Sequence, residues 1–318
     1  MRILLTGSTG QVGFELLRSL AVFGDIVAPT RQELDLCDLE AVGRFVESTG
    51  PDLIVNAAAW TAVDAAEKEE AAAYRLNAEL PALLAAYAQA QSSWLIHYSS
   101  DYVYPGSGSV PWTEASETGP LSVYGASKRA GDEAIAASGA RHLIFRTSWV
   151  YSARGHNFMK TMLHLGRERD SLNVVADQIG APTPARLIAE VTALAVSKLP
   201  RSPRGSGALA ANNSGVTGAE GCPFANLHGI YHLAPHGETS WHGFARAIFT
   251  LAKEQGMELA IGPQQVAAIT TEQYHTPARR PLNSRLNLGR LERALNIELP
   301  DWQSQLGLTL SEYLQNSG

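Results

Sequence analysis

The sequence predicts an α/β fold: a doubly wound parallel sheet covered by helices on both faces, with a smaller C-terminal lobe. Three observations carry that expectation. Short apolar runs alternate with longer stretches of helical period through the first 150 residues. The runs RILLT (2–6), DLIVN (52–56), WLIHY (94–98) and HLIFR (142–146) are apolar almost throughout, as strands buried on both faces are. A length of 318 residues also exceeds a typical single core, which calls for a second lobe.

The elements follow in order. Residues 2–6 read as the first strand. Val12, Leu16, Leu20 and Phe23 then share one face of a helix over 11–23. DIVAP (25–29) reads as the second strand, and Leu39, Val42, Phe45 and Val46 mark a second helix. The third strand at 52–56 precedes an alanine-rich helix over 78–90 with Pro81 in its first turn. A strand at 94–98, a helix over 123–137 and a strand at 142–146 complete the first half.

The second half is less regular. Helices are expected over 158–169, 187–198 and 241–254 and near 287–296 and 303–315, with a strand at 229–233. LNVVA (172–176) is a strand expected to complete the main sheet. Residues 201–228, rich in Gly, Ser, Asn and Ala, read as a long insertion. The expected division is therefore a sheet-forming unit over 1–150 and a region over 151–318 that is mainly a smaller lobe.

Composition excludes several classes of function. The formal charge of −6 and a pI near 5.9 argue against a sequence-independent nucleic-acid or membrane binder. No apolar run approaches the roughly 18–20 residues that cross a bilayer. Cys37 and Cys222 stand far apart without a CxxC or Cys/His cluster, so two unpaired thiols are expected, with no metal. The N-terminus shows no secretory signal pattern, and a reducing cytoplasm is the expected location.

The segment Gly7-Ser8-Thr9-Gly10-Gln11-Val12-Gly13 follows the first strand and opens the first helix. Backbone N–H groups and a positive helix end meet a pyrophosphate at such a place. Gly7 permits the tight turn, Gly10 the approach of the ligand, and Gly13 close helix packing. After the second strand, Pro29-Thr30-Arg31 offers no acid before Glu33, and an Arg there favours the 2′-phosphate of NADPH while leaving NADH open.

Tyr124 and Lys128 stand at i and i+4 on one helical face, a spacing suited to acid–base chemistry on a carbonyl. The lysine is expected to lower the tyrosine pKa. Ser99-Ser100-Asp101 closes the fourth strand at its C-terminal end, where open α/β sheets place their ligands. Trp149 follows the fifth strand and is a candidate platform for a sugar or base. Arg280, fixed before Pro281, is a candidate for the diphosphate. The EKEE stretch at 67–70 reads as a solvated helix start.

These motifs in this order resemble the extended short-chain dehydrogenase/reductase superfamily and, within it, the dTDP-4-dehydrorhamnose reductases. The resemblance is carried by TGSTGQVG (6–13), NAAAWTAVDAAE (56–67), HYSSDYVYPG (97–106), VYGASK (123–128), RTSWVY (146–151), DQIGAPT (177–183) and TPARRPLNSRL (276–286). It implies a Rossmann-type fold and NADPH-dependent reduction of a 4-keto nucleotide sugar. By that resemblance Tyr124 is the proton donor, Lys128 its partner and Ser100 the third catalytic member. Gly10, Gln11 and Val12 would touch the pyrophosphate, Asp38 and Leu39 the adenine, and Ala59, Trp60 and Thr61 the ribose. Ser100, Asp101 and Trp149 match substrate-contacting positions, and Val63 and Asp64 would be their neighbours in the substrate site.

Some members of the family dimerise around a magnesium ion held by glutamates. Glu15 matches one of these, but the second position carries Arg186, which cannot ligate magnesium, with Glu190 one turn later. A monomer or a homodimer without a metal bridge is expected. Two rivals stand beside the reductase: a dehydratase or epimerase on the same fold, and a catalytically silent nucleotide-binding subunit. Sugar dehydratases carry an Asp-Glu pair after the Ser/Thr, whereas Tyr102 follows Asp101 here.

Overall fold

The computed structural model describes residues 1–200 and 227–315. Cys222 and nearly all of the expected 201–228 insertion fall outside the described residues. The chain opens with β1 (Arg2–Thr6), α1 (Gln11–Ser19), β2 (Asp25–Val27), α2 (Leu39–Thr49) and β3 (Leu53–Asn56). Two short helices, α3 (Val63–Ala66) and α4 (Glu70–Tyr74), run through a π-helical turn at Arg75–Glu79 into α5 (Leu80–Gln91). Then come β4 (Trp94–Ser100), α6 (Val123–Ala137), β5 (Arg141–Thr147) and β6 (Val150–Tyr151).

The second half contributes α7 (Phe158–Glu168), β7 (Leu172–Val175), β8 (Ile179–Gly180), β9 (Thr183–Pro184) and α8 (Ala185–Lys198). It continues with β10 (Gly229–His232), β11 (Thr239–Ser240), α9 (Trp241–Glu254) and β12 (Val266–Ile269). α10 (Gly289–Leu295) and α11 (Trp302–Gln315) close it.

Six strands form one sheet in the order β10-β5-β4-β3-β1-β2, every neighbouring pair parallel. From β1 the chain moves outward to β2 and then returns to β3 on the other side. The strand order reverses between β1 and β3, and ligands bind outside the carboxyl ends at such a point. Both faces are covered. Leu16 of α1 and Leu20 at its C-terminal end pack with Leu187, Ile188 and Val191 of α8 on one face. Val42 and Val46 of α2, Leu84 and Ala88 of α5 and Ile135 of α6 cover the other. That double cover explains why the strands read as continuous apolar runs.

The sixth strand differs from the expectation. Residues 172–175 pair with β12 in a separate two-stranded sheet, and β10 takes the edge beside β5. The connection explains it: α8, between the two candidates, is the helix that packs back on the sheet, so only the strand after it can join in a crossover. Among the described residues after 150, those of α8 and β10 and Leu291 of α10 belong to the core of the main sheet. A second core gathers Met159 and Leu163 of α7, Phe244 and Ile248 of α9, and Trp302, Leu306 and Leu310 of α11.

Candidate active site

The glycine turn lies at the β1–β3 reversal. Gly7 has φ +73°, and a Cβ there would come within 2.6–2.8 Å of the Ala57–Ala58 backbone. A Cβ on Gly13 would stand 2.0 Å from the Gly7 carbonyl oxygen, so this glycine lets the helix close onto the turn itself. Gly10 is the extended N-cap of α1, which has no side-chain cap and no acid in its first turn. The amides of that turn are left for an anionic ligand, and a dinucleotide pyrophosphate fits the cradle. The side-chain amide oxygen of Gln11 accepts a bond from Asn157 Nδ2 at 2.9 Å, tying the turn to the start of α7. Val12 packs into the core beneath.

Around the expected adenosine end, Arg31 is exposed after β2. Glu33 turns back to accept from the Thr30 backbone and hydroxyl, which holds its carboxyl below the usual range. Burial and then the Asp35 carboxylate push the Cys37 thiol up, and the charges of Arg31 and Arg75 near this loop oppose the rise. Asp38 caps α2 through the Ala41 N–H at 3.0 Å, and Leu39 begins that helix. Ala59, Trp60 and Thr61 follow β3. The Trp60 N–H donates to Asn77 Oδ1 at 2.9 Å and its carbonyl accepts from Asn77 Nδ2 at 3.1 Å.

Asn77 is a fully buried residue that the sequence reading missed, because it sits in the π-helical turn before α5. Its Nδ2 also reaches Ser127 Oγ at 3.0 Å on α6. Gly125 and Gly131 let α6 press close: Cβ atoms there would stand 2.3 Å from the Tyr102 carbonyl oxygen and 2.1 Å from that of Asn77. Ser122 caps α6, and Glu67 accepts from the Val123 N–H at 2.9 Å. The EKEE stretch is thus partly a second cap for the helix that carries Tyr124 and Lys128.

Ser100, at the end of β4, donates to Asp101 Oδ1 at 3.0 Å and accepts from the Tyr102 N–H at 3.2 Å. Burial pushes the Asp101 carboxyl up to about 6, against the nearby Ser284 hydroxyl and the Ser100 hydrogen bond, which favour its charge. The Tyr124 phenol is pushed above its ordinary value, chiefly by burial and further by Asp101, while its hydrogen bond to Ser100 opposes the rise. This reverses the expected lowering by Lys128, because removal from water outweighs the favourable contacts. Ser100 and Tyr124 are brought together, with the Tyr102 ring edge-on to Tyr124 at 5.4 Å.

Lys128 is buried, donates to the Tyr98 carbonyl at 2.6 Å and lies 3.1 Å from His97 Nε2. Burial brings its pKa down to about 8, opposed by the Asp132 carboxylate one turn further on. Asp132 is itself paired with Arg146 of β5 at 2.9 Å, both side chains buried. His97, Asp132 and Arg146 are further groups that the sequence reading did not single out.

At the mouth of the cleft, Asp64 beside Val63 on α3 pairs with Arg280 at 2.6 Å and accepts from the Ala278 N–H at 3.2 Å. Arg280 also reaches the Tyr102 hydroxyl at 3.4 Å. Its charge is therefore shared with the Asp64 carboxylate. Trp149 is partly exposed, has φ +49° and stacks on Trp241 at 3.9 Å. A bulky residue with positive φ is strained, and such strain gathers at functional sites. Elsewhere, Arg186 lies between Glu15 at 3.2 Å and Glu312 at 3.0 Å. Burial and the Glu15 charge hold Glu190 above the usual carboxylate range, with Arg186 opposing.

The family described as "RmlD substrate binding domain" matches residues 1–226 and 219–315. The chain is 45% identical over 316 residues to the dTDP-4-dehydrorhamnose reductase of Shigella flexneri, covering 98% of each chain. It is 44% identical over 316 residues to the enzyme of that name from Escherichia coli (strain K12), again covering 98% of each. Among solved structures, the dTDP-4-dehydrorhamnose reductase of Bacillus anthracis in complex with NADP is 31% identical and superposes with a TM-score of 0.83. That match covers 98% of this chain and 99% of the other.

Proposed function

The chain belongs to the dTDP-4-dehydrorhamnose reductase family, and from that premise we propose that it reduces dTDP-4-dehydro-β-L-rhamnose to dTDP-β-L-rhamnose with NADPH. The observation that carries the reading is Ser100, Tyr124 and Lys128 standing at the carboxyl edge of a parallel sheet whose first turn is an uncapped glycine cradle.

When bound, NADPH supplies a hydride to C4 of the sugar. The α1 amides and Arg31 bind its phosphates, and Ala59, Trp60 and Thr61 line its ribose, with the Trp60 backbone fixed by Asn77. Ser100 donates to the sugar carbonyl and orients it. Tyr124, held protonated by its raised pKa, gives its phenolic proton to the oxygen at C4 as negative charge develops there. Lys128 adds positive charge in a buried setting, where it acts more strongly than in water. Val63, Asp64, Asp101, Trp149 and Arg280 are assigned to the sugar nucleotide.

Both ligands are anionic and the protein carries −6, so attraction has to be local, from the glycine-turn amides and these few cations. Tyr102 stands where a dehydratase carries its second acid, and its ring packs on Tyr124. The chain is assigned as a monomer or a homodimer without a metal bridge, a reading supported by Arg186 closing on Glu15 and Glu312 within one chain. No described helix is long and apolar enough to cross a membrane. A cytoplasmic setting suits the free, exposed Cys37 thiol.

The test is incubation with the keto sugar and NADPH, with the product identified by NMR. The reading predicts NADPH oxidation matched by dTDP-β-L-rhamnose. Elimination from dTDP-glucose without net cofactor oxidation would instead identify a dehydratase.

A further inference from the structure

Thr6 and Asn56 close the strands β1 and β3, His97 interrupts the apolar run of β4, and the sheet register sets the three side by side. Thr6 of β1 is the register partner of Asn56 of β3, and Asn56 that of His97 of β4. Each is at most 1% exposed. Thr6 Oγ1 donates to Asn56 Oδ1 at 2.7 Å, Asn56 Nδ2 lies 3.1 Å from His97 Nδ1, and His97 Nε2 lies 3.1 Å from Lys128 Nζ. A buried polar row of this kind is costly unless every member is satisfied, and this row ends on the lysine of the site.

We infer that His97 is a positioning residue for Lys128, and that its tautomer follows the charge of the lysine. The inference rests on Lys128 being the lysine of the proposed reaction. An ammonium has three donors and no acceptor. One N–H goes to the Tyr98 carbonyl at 2.6 Å. A second goes to His97 Nε2, which must then hold a lone pair, so the imidazole proton sits on Nδ1 and Asn56 turns its oxygen toward it. The third N–H is left for the cleft. In the other arrangement Asn56 Oδ1 accepts from Thr6 and from the Ala58 N–H at 3.3 Å, leaving Nδ2 to donate to His97 Nδ1. The ring proton is then on Nε2 and faces Lys128, which must be the neutral amine to accept it.

One proton on Lys128 therefore selects between two hydrogen-bonded arrangements of the row. His97 stays neutral in both, because burial holds it well below the usual histidine range and the Lys128 charge, when present, acts in the same direction. The other charges facing this lysine are Asp132 on its own helix, which favours the ammonium, and Arg146 of β5, which is paired to Asp132. Tyr124 lies one turn earlier on the same helix.

Two measurements test this. The first is 15N NMR of histidine-labelled full-length protein without ligands, titrated through the Lys128 transition. The ring proton of His97 should pass from Nδ1 to Nε2 as pH rises, and Lys128→Met should abolish the change. A tautomer fixed across the titration would overturn the inference, and this readout does not depend on what the substrate is. The second is the pH profile of keto-sugar reduction. His97→Phe should move the alkaline limb of kcat down by about one pH unit, since it removes a hydrogen bond to the charged form. His97→Gln, whose side-chain oxygen can accept in the same place, should restore most of it. An unmoved limb in a folded His97→Phe protein overturns the inference. If that variant does not fold, the glutamine variant and the NMR titration decide, and a glutamine variant that moves the limb as far as loss of the acceptor would count against it.

Discussion

Replacing Arg146 by methionine would remove one half of a buried ion pair and leave the other. Arg146 and Asp132 meet at 2.9 Å with side chains only 5% and 1% exposed, and Arg146 also donates to the Tyr104 hydroxyl at 2.8 Å. Breaking such a pair from one side costs about 3–5 kcal/mol, because the remaining charge is stranded. Domains hold only about 5–15 kcal/mol in total, so the loss corresponds to a fall of roughly 10 °C in melting temperature. The sign of the pH effect follows from Asp132. Burial already holds its carboxyl above the usual range, with Arg146 the largest opposing influence and Lys128 the next. In the variant it rises further, so the folded protein binds a proton that the unfolded chain releases. The deficit should therefore be small near about pH 4 and grow until pH passes the new value. Differential scanning calorimetry at about pH 5 and pH 8 measures this, and Asp132→Leu added to Arg146→Met should recover much of the loss. A melting temperature within about 2 °C of the parent at both pH values would refute the reasoning.

Further outcomes follow from the same geometry. Gly13→Ala places a Cβ 2.0 Å from the Gly7 carbonyl oxygen, so the turn must open; NADPH affinity, read by fluorescence titration, should fall about tenfold or more. Arg31→Ala should raise KM for NADPH about tenfold and leave KM for NADH nearly unchanged, as expected for a charge that meets the 2′-phosphate. Asp101, held up at about 6 by burial, weakens folding as pH rises from the ordinary carboxylate value through 6. Asp101→Asn should therefore raise the melting temperature more at pH 8 than at pH 4, where the native carboxyl is already protonated.

Much of this was legible in the sequence where the signal is local. The glycine turn, the Tyr124–Lys128 spacing and the apolar strands depend on neighbours within one or two turns, and they predict the doubly wound sheet and the position of its site. What depends on pairing was hidden. WLIHY reads as an apolar strand, and nothing nearby reveals that His97 meets Asn56 across the β3–β4 register. Asp132 and Arg146 stand 14 residues apart on different elements, so their ion pair is invisible before the sheet is assembled. LNVV at 172–175 and GIYH at 229–232 are similar short strands, and their places are decided by which one follows α8. The π-helical turn at Arg75–Glu79 hides Asn77 within a stretch that reads as ordinary helix. Tyr124 is an electrostatic instance: its spacing from Lys128 points to a lowered pKa, and only its three-dimensional burial reverses the direction.

The proton donor is the centre of the account. Tyr124→Phe removes one oxygen from a ring already packed against Tyr102 and leaves the glycine cradle untouched. With saturating NADPH and dTDP-4-dehydro-β-L-rhamnose, its kcat should fall about 10²–10⁴-fold while the Kd for NADPH changes little. A variant that turns over the keto sugar at the parent rate would contradict the assignment of Tyr124 as the acid.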